Sequence, residues 1–374
     1  RRPAPDPGPR EPVSTLVARP GIAEIDPYVG GESAIRGRDR VVKLASNEGA
    51  LGPSPKAVAA YIEAGKSMHR YPDGGCVALR SALAERHGLN RDRIVCGAGS
   101  DELLSLLCRA YAGPGDEVLY SEHGFLIFPI AARAAGATPV TAPEAKRTVD
   151  VDAVLACVSE KTRVVFIANP NNPTGTYLGA ADMRRLKDGL SDSVLLVVDA
   201  AYAEYVERDD YEPGIELVDS AASVVMTRTF SKIHALGGLR LGWCYGPPAV
   251  IDVLNRLRLP FNVSGAAQAA GLAALGDVAF TEESRRHNAT WRAWLTERLR
   301  ALGLSIGDSV CNFVIVQFPA TPGRDAEAAD AFLKERGLIA RRLAGYGLPG
   351  CLRITIGREG EMRAVVDALG EFVG

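Results

Sequence analysis

Residues 227–240 read TRTFSKIHALGGLR. One lysine, Lys232, stands just after two hydroxyl residues, Thr229 and Ser231, and Arg240 follows eight positions on. A lysine that forms a Schiff base needs a neutral amine and a fixed position. Hydroxyl donors and a planar guanidinium beside it suit a phosphate dianion carried on the same cofactor. A solvated surface segment can have the same string, so the decision rests on what lies upstream.

Two upstream segments fit the same chemistry. FIANPNNPTGTYL, residues 166–178, is an apolar run that ends in turn residues, which places Asn169, Asn171 and Asn172 just past the end of a strand. SVLLVVDAAYAEYV, residues 193–206, contains five consecutive apolar residues and then Asp199, the pattern of a buried parallel strand with an acid at its carboxyl end. Open α/β sheets put ligands there. A single such Asp could equally cap the next helix. Three polar strand ends in order, Asn172, Asp199 and Lys232, spaced 27 and 33 residues apart, form a set that capping does not explain.

With those segments in place, the chain resembles the pyridoxal-phosphate aminotransferases of fold type I, and within them the histidinol-phosphate aminotransferase family. The likeness runs through KLASNEGALGPSP, RYPDG, GAGSDELL, NPNNPTGT, VVDAAYAEY, TFSK with GGLRLGW, PFNVS and LAGYGLPGCLRITIG. It implies an α/β fold whose large domain is a mostly parallel seven-stranded sheet sandwiched by helices, beside a smaller α+β domain. It also implies pyridoxal 5′-phosphate as cofactor, joined to Lys232 through a Schiff base, with Lys232 then shuttling a proton. Asp199 would pair with the pyridinium nitrogen, and Asn172 and Tyr202 would hydrogen-bond the phenolic oxygen.

GAGSDELLSLLCRAYA reads as a turn and then a helix, so the amides of Gly99, Ser100 and Asp101 would face an anion. Thr229, Ser231 and Arg240 would complete that phosphate cradle. By resemblance, Tyr71 reaches the phosphate from a neighbouring subunit of a homodimer with a shared active site. His123, with Phe125 close by, stands where the family stacks an aromatic ring on the cofactor. On the substrate side the matched residues are Tyr28, Asn47, Arg341 and Arg353, and Arg342 beside Arg341 leaves open which of that pair points inward.

The implied reaction is L-histidinol phosphate plus 2-oxoglutarate to imidazole acetol phosphate plus glutamate, by a ping-pong cycle in histidine biosynthesis. Two alternatives remain on the same scaffold: an aromatic amino acid aminotransferase and a phospho-amino-acid decarboxylase. The rest of the sequence fits a metal-free globular enzyme acting on small molecules. The chain has 374 residues, 47% hydrophobic and 24% charged, with a net charge of -2, which gives no reason to expect nucleic acid or an anionic membrane as partner.

The chain has no apolar stretch long enough to span a bilayer and no apolar core of a secretory signal, so a cytoplasmic protein is expected. Seven scattered cysteines and five dispersed histidines give neither a disulfide framework nor a metal spacing. Residues 1–20 are Pro/Arg-rich and read as a disordered arm; 21–45 and 261–374 are assigned to the small domain and 46–260 to the large cofactor-binding domain. One long helical region, roughly 250–302, is expected to link the two.

Overall fold

The structure, a computed structural model, describes residues 16–374. The expected disordered arm therefore lies mostly outside the described residues. Seven strands form the main sheet: β1 (Ile94–Gly97), β2 (Glu117–Ser121), β3 (Thr138–Ala142), β4 (Thr162–Ala168), β5 (Leu195–Asp199), β6 (Val224–Thr229) and β7 (Gly242–Tyr245). Their spatial order is β1-β7-β6-β5-β4-β2-β3. All neighbouring pairs are parallel except the two made by β7. Sequence patterning picks out the other six strands but passes over β7, whose GWCY is too short and mixed to stand out.

The apolar runs are continuous because both sheet faces are covered. Val165 and Ile167 of β4 pack into one core, and Val164 and Phe166, which alternate with them, pack into the other. Of the helices, α1 (Pro55–Gly65) and α3 (Gly265–Gly276) pack together, and α2 (Ser100–Tyr111) follows β1. The expected helical region over 250–302 is three helices rather than one: Pro248–Leu257, α3, and α4 (Val278–Ala301). The first break contains Pro260, which has no amide to continue a helix, and the second falls at Gly276 and Asp277.

A second sheet, β8 (Ser305–Ile306), β9 (Phe313–Gln317), β10 (Arg341–Arg342) and β11 (Cys351–Thr355), is wholly antiparallel in the order β8-β9-β11-β10. Helices α5 (Ala326–Glu335) and α6 (Glu359–Val373) supply its core through Leu333, Val365 and Leu369. Residues 42–43 pair in parallel with 338–339, so the chain just before residue 45 is tied to this C-terminal unit.

Register sets the site. Gly242 lies opposite both Gly97 and Thr229, and Asp199 lies opposite both Ala168 and Thr227. The carboxyl ends of β1, β6, β5 and β4 therefore open onto one rim, where an open α/β sheet receives ligands.

Candidate active site

Asp199 closes β5 and is 4% exposed. Thr227, its partner across the ladder, donates from Oγ1 to Asp199 Oδ1 at 3.0 Å. Burial outweighs that bond and pushes the carboxyl up to about 7. Lys232 is shifted in the complementary direction. Burial first, and the Arg353 guanidinium second, bring its ammonium down to about 8. Its Nζ lies 5.6 Å from the centre of the Tyr202 ring. The rim thus holds a carboxylate short of counter-charge and an amine that loses its proton near neutrality.

Beside them, the turn after β1 leads directly into α2. Gly99 has φ 87, and a Cβ there would sit 2.4 Å from Arg240 Nη2. A Cβ on Gly242 would sit 2.3 Å from the Ser100 amide nitrogen. Gly242 is therefore required by close backbone approach, and Gly99 by its left-handed φ. Arg240 Nη2 is 3.2 Å from Asp101 Oδ2, and its Nη1 donates to the Gly237 carbonyl at 3.0 Å. Thr229 Oγ1 donates to Ser231 Oγ at 3.0 Å. A helix start, two hydroxyls and a guanidinium in one place suit an anion.

On the opposite wall, Arg353 of β11 is 4% exposed. Its Nη1 donates to Asn172 Oδ1 and its Nη2 to the Ala45 carbonyl at 2.9 Å, while its buried Nε has no partner among the described residues. Asn47 Nδ2 donates to the Tyr202 hydroxyl at 2.9 Å, and Asn47 exchanges two further bonds with Thr355 Oγ1. Because the Tyr202 oxygen accepts from Asn47, the Tyr202 proton is left to donate elsewhere. Asn47 lines the cavity as expected, but its side-chain amide is spent on Tyr202 and Thr355. It is placed to hold Tyr202 as much as to meet a substrate.

These groups surround a cavity of about 310 Å³. Its walls include Ser100, Asp101, Asn172, Asp199, Tyr202 and Lys232, then Thr229, Ser231 and Arg240, and on the far side Tyr28, Asn47, Arg341 and Arg353. Arg341 lines it and donates from Nη2 to the Val29 carbonyl at 2.8 Å, whereas Arg342 pairs with Glu327 at 3.1 Å. Consecutive residues of β10 project to opposite faces, which separates the two arginines.

Three expected residues are not in the lining: Gly99, which directly precedes the lining residue Ser100, His123 and Tyr71. His123 is buried, with its Nδ1 2.7 Å from the carbonyl oxygen of Tyr346, itself a lining residue, and Phe125 supplies the aromatic ring in the wall. The turn at Gly124 separates the two, and spacing alone does not show which ring it presents. Tyr71 is 83% exposed and stacks on Phe261 at 4.8 Å, away from this chain's own cavity. The sequence reading passed over Thr227, Thr355 and Tyr346. Of these only Thr227 leaves a signal: it alternates with Thr229 on one strand and so shares its face.

The donor set fits a phosphorylated heteroaromatic cofactor: a buried carboxylate with no ion-pair partner among the described residues, a lysine whose pKa is lowered to about 8, a phosphate cradle and two arginines share one cavity. The pattern of the Aminotransferase class I and II family matches residues 39–369. The histidinol-phosphate aminotransferase of Paramagnetospirillum magneticum is 61% identical over 356 residues, covering 95% of this chain and 98% of that protein. That of Rhodospirillum rubrum is 60% identical over 355 residues, covering 95% and 96%. The crystal structure of histidinol-phosphate aminotransferase from Sinorhizobium meliloti in complex with pyridoxal-5′-phosphate superposes with a TM-score of 0.87 at 30% identity, covering 97% of this chain and 99% of that one.

Proposed function

The chain belongs to the Aminotransferase class I and II family, and from that premise we infer that it is a pyridoxal-5′-phosphate enzyme of histidine biosynthesis. It moves the amino group of L-histidinol phosphate to 2-oxoglutarate. The observation that carries the reading is the convergence of Lys232, Asp199, Arg341 and Arg353 on one cavity.

The cofactor supplies an electron sink that no side chain offers. The chain's own residues do the rest. Asp199, raised by burial when unpartnered, is matched to a cationic ring nitrogen, which would return it to the ionised state. Tyr202, its oxygen already accepting from Asn47, would hydrogen-bond the cofactor's phenolic oxygen together with the Asn172 amide. The amides of Gly99, Ser100 and Asp101, with Thr229, Ser231 and Arg240, hold the phosphate.

Lys232, neutral for a useful fraction of the time near pH 8, would move a proton between the substrate α-carbon and the cofactor carbon on the far side of the transferred nitrogen. Arg341 grips the donor's phosphate, and Arg353 exchanges its Asn172 contact for the acceptor's carboxylate. Tyr28 closes the outer side. One cavity serves both half-reactions in turn, so donor and acceptor do not bind together.

A homodimer is part of this reading. Met68, Tyr71, Leu259 and Phe261 are exposed apolar residues, 84%, 83%, 70% and 45%, near the paired helices α1 and α3. A second copy seated there would bring Tyr71 toward its neighbour's phosphate cradle. If so, mixing the Tyr71→Ala and Lys232→Ala variants regains activity that neither has alone; no regain sinks the shared site. A cytoplasmic location suits the seven free cysteines, six of them buried. Among the described residues no helix is long and apolar enough to cross a membrane.

The test is a single half-reaction. Purified enzyme without keto acid is mixed with histidinol phosphate or phenylalanine, and the cofactor's visible absorbance is followed. Fast bleaching by histidinol phosphate and slow bleaching by phenylalanine is the expected result. Comparable rates would make the enzyme an aromatic aminotransferase, since two arginines serve a carboxylate as well as a phosphate. No change with either would point to decarboxylation.

A further inference from the structure

A second and larger hollow, of about 830 Å³, is lined by α4 and by segments at residues 146–148, 175–177 and 307–310. Its floor is one face of α4, where Arg292, Thr296 and Arg300 recur every four residues. Its walls are the loop at residues 175–177, the segment at 307–310, Lys146 and Arg208. Four cations and two carboxylates line it, a net of +2.

The charges are unevenly matched. Asp308 is tied to Arg300 at 3.0 Å, and Glu297 is exposed. Among the described residues, Lys146, Arg208 and Arg292 have no carboxylate within ion-pair distance. Arg292 is half-buried, its one hydrogen bond goes from Nη1 to the Cys311 carbonyl at 2.9 Å, and burial lowers its pKa from the ordinary arginine value. A partly desolvated guanidinium whose carboxylate neighbour, Glu207, lies beyond ion-pair distance is undercompensated, and an anion in the hollow would reduce that cost.

The walls also connect to the catalytic cavity. Thr176, in the hollow, shares a 2.8 Å hydrogen bond with Thr174, whose Oγ1 accepts from Asn171 Nδ2 at 2.9 Å. Asn171 precedes Asn172, which lines the cavity and contacts Arg353. From the other wall, the Val310 amide donates to the Gly175 carbonyl at 3.0 Å. An occupant that braced residues 175–177 against 309–310 would thus bear on the position of Asn172.

We propose that this hollow is a second site, which binds a small molecule carrying two or more phosphate or carboxylate groups and tunes turnover through the loop that holds Asn172. The site uses Lys146, Arg208 and Arg292 as charge-assisted donors and the Thr296 hydroxyl as a neutral one.

The probes are inorganic pyrophosphate and citrate, titrated calorimetrically into the cofactor-loaded full chain with ionic strength held constant by potassium chloride. The expected result is saturable binding of one molecule per chain. It should be weakened about tenfold or more in Lys146→Ser/Arg208→Ser and retained in Arg341→Gln, whose change lies in the catalytic cavity. The same anion should shift kcat or KM at least about twofold in the parent, with no shift in the double variant. Because both replaced residues are exposed, an unchanged melting temperature verifies that the double variant is folded. Absence of saturable binding overturns the site. So does binding lost in Arg341→Gln but kept in the double variant, which would place the anion in the catalytic cavity. Binding with no kinetic effect overturns the coupling.

Discussion

Consider Asp199→Asn in the cofactor-free protein. The native carboxylate is buried, with Thr227 as its one side-chain donor, and its pKa rises from an ordinary 3.8 to about 7. A folded pKa above the unfolded one means that the folded chain holds the proton more tightly. Stability is then unaffected below about pH 4, falls as the pH rises toward 7, and levels off above it. A difference of about three pH units, at 1.36 kcal/mol each, is about 4 kcal/mol.

Asparagine has nearly the same shape and no charge to lose. The variant without cofactor should therefore exceed the parent in stability by a few kcal/mol at pH 8, and the gain should vanish near pH 4. Urea unfolding of both proteins at the two pH values, after the cofactor is stripped, measures this directly. With cofactor bound the loss is in turnover: without the carboxylate that keeps the ring nitrogen protonated, the ring would accept electrons less well, and turnover should fall by about 10²- to 10³-fold. Equal stability of parent and variant at pH 8 would refute the reasoning, because it would mean that Asp199 already has its counter-charge within this chain.

Three further outcomes follow from the same geometry. Capture of pyridoxal phosphate by stripped enzyme, followed by stopped-flow absorbance, should rise with pH through a midpoint near 8, because at pH 7 a pKa of about 8 leaves roughly 300 times more neutral amine than 10.5. Arg353→Leu should move that midpoint upward, and a midpoint above 10 in the parent would contradict a buried Lys232. Arg341→Gln should raise KM for the phosphorylated donor by about 10- to 100-fold, while Arg342→Gln, which breaks only the pair with Glu327, should change it less than about twofold; steady-state kinetics on both separates them, and the reverse ranking would sink the β10 assignment. Gly99→Ala should weaken cofactor retention, read by equilibrium dialysis, because its Cβ would displace Arg240; retention equal to the parent's would mean that Arg240 does not hold the phosphate.

Much of this was legible because the strands announce themselves. Buried parallel strands read as unbroken apolar runs, so the polar residues within a few positions of each run's end mark the rim. Asp199, Asn172 and the Thr229–Lys232 segment are all found this way, and the sheet register then places them side by side. Strand β7 was not legible, since GWCY carries neither alternation nor length. Its antiparallel insertion is nonetheless what puts Gly242 between Gly97 and Thr229 and so brings the turn after β1 to Arg240.

The residues that escaped the sequence, or shifted role, are those whose chemistry is exerted through a neighbour. Asn47 adopts φ 56, a left-handed conformation that Asn tolerates better than most. From there it meets Tyr202, 155 positions away, and Thr355, 308 positions away. No local pattern encodes such contacts; they exist only once the C-terminal sheet has closed over the rim. Arg353 makes the same point from the other side, since one guanidinium reaches the Ala45 carbonyl, before the first core helix, and Asn172, at the end of β4. The cavity is therefore assembled by three stretches of chain held by two side chains, Asn47 and Arg353. A substitution at either should loosen the Tyr202 and Asn172 contacts to the cofactor as well as the grip on substrate.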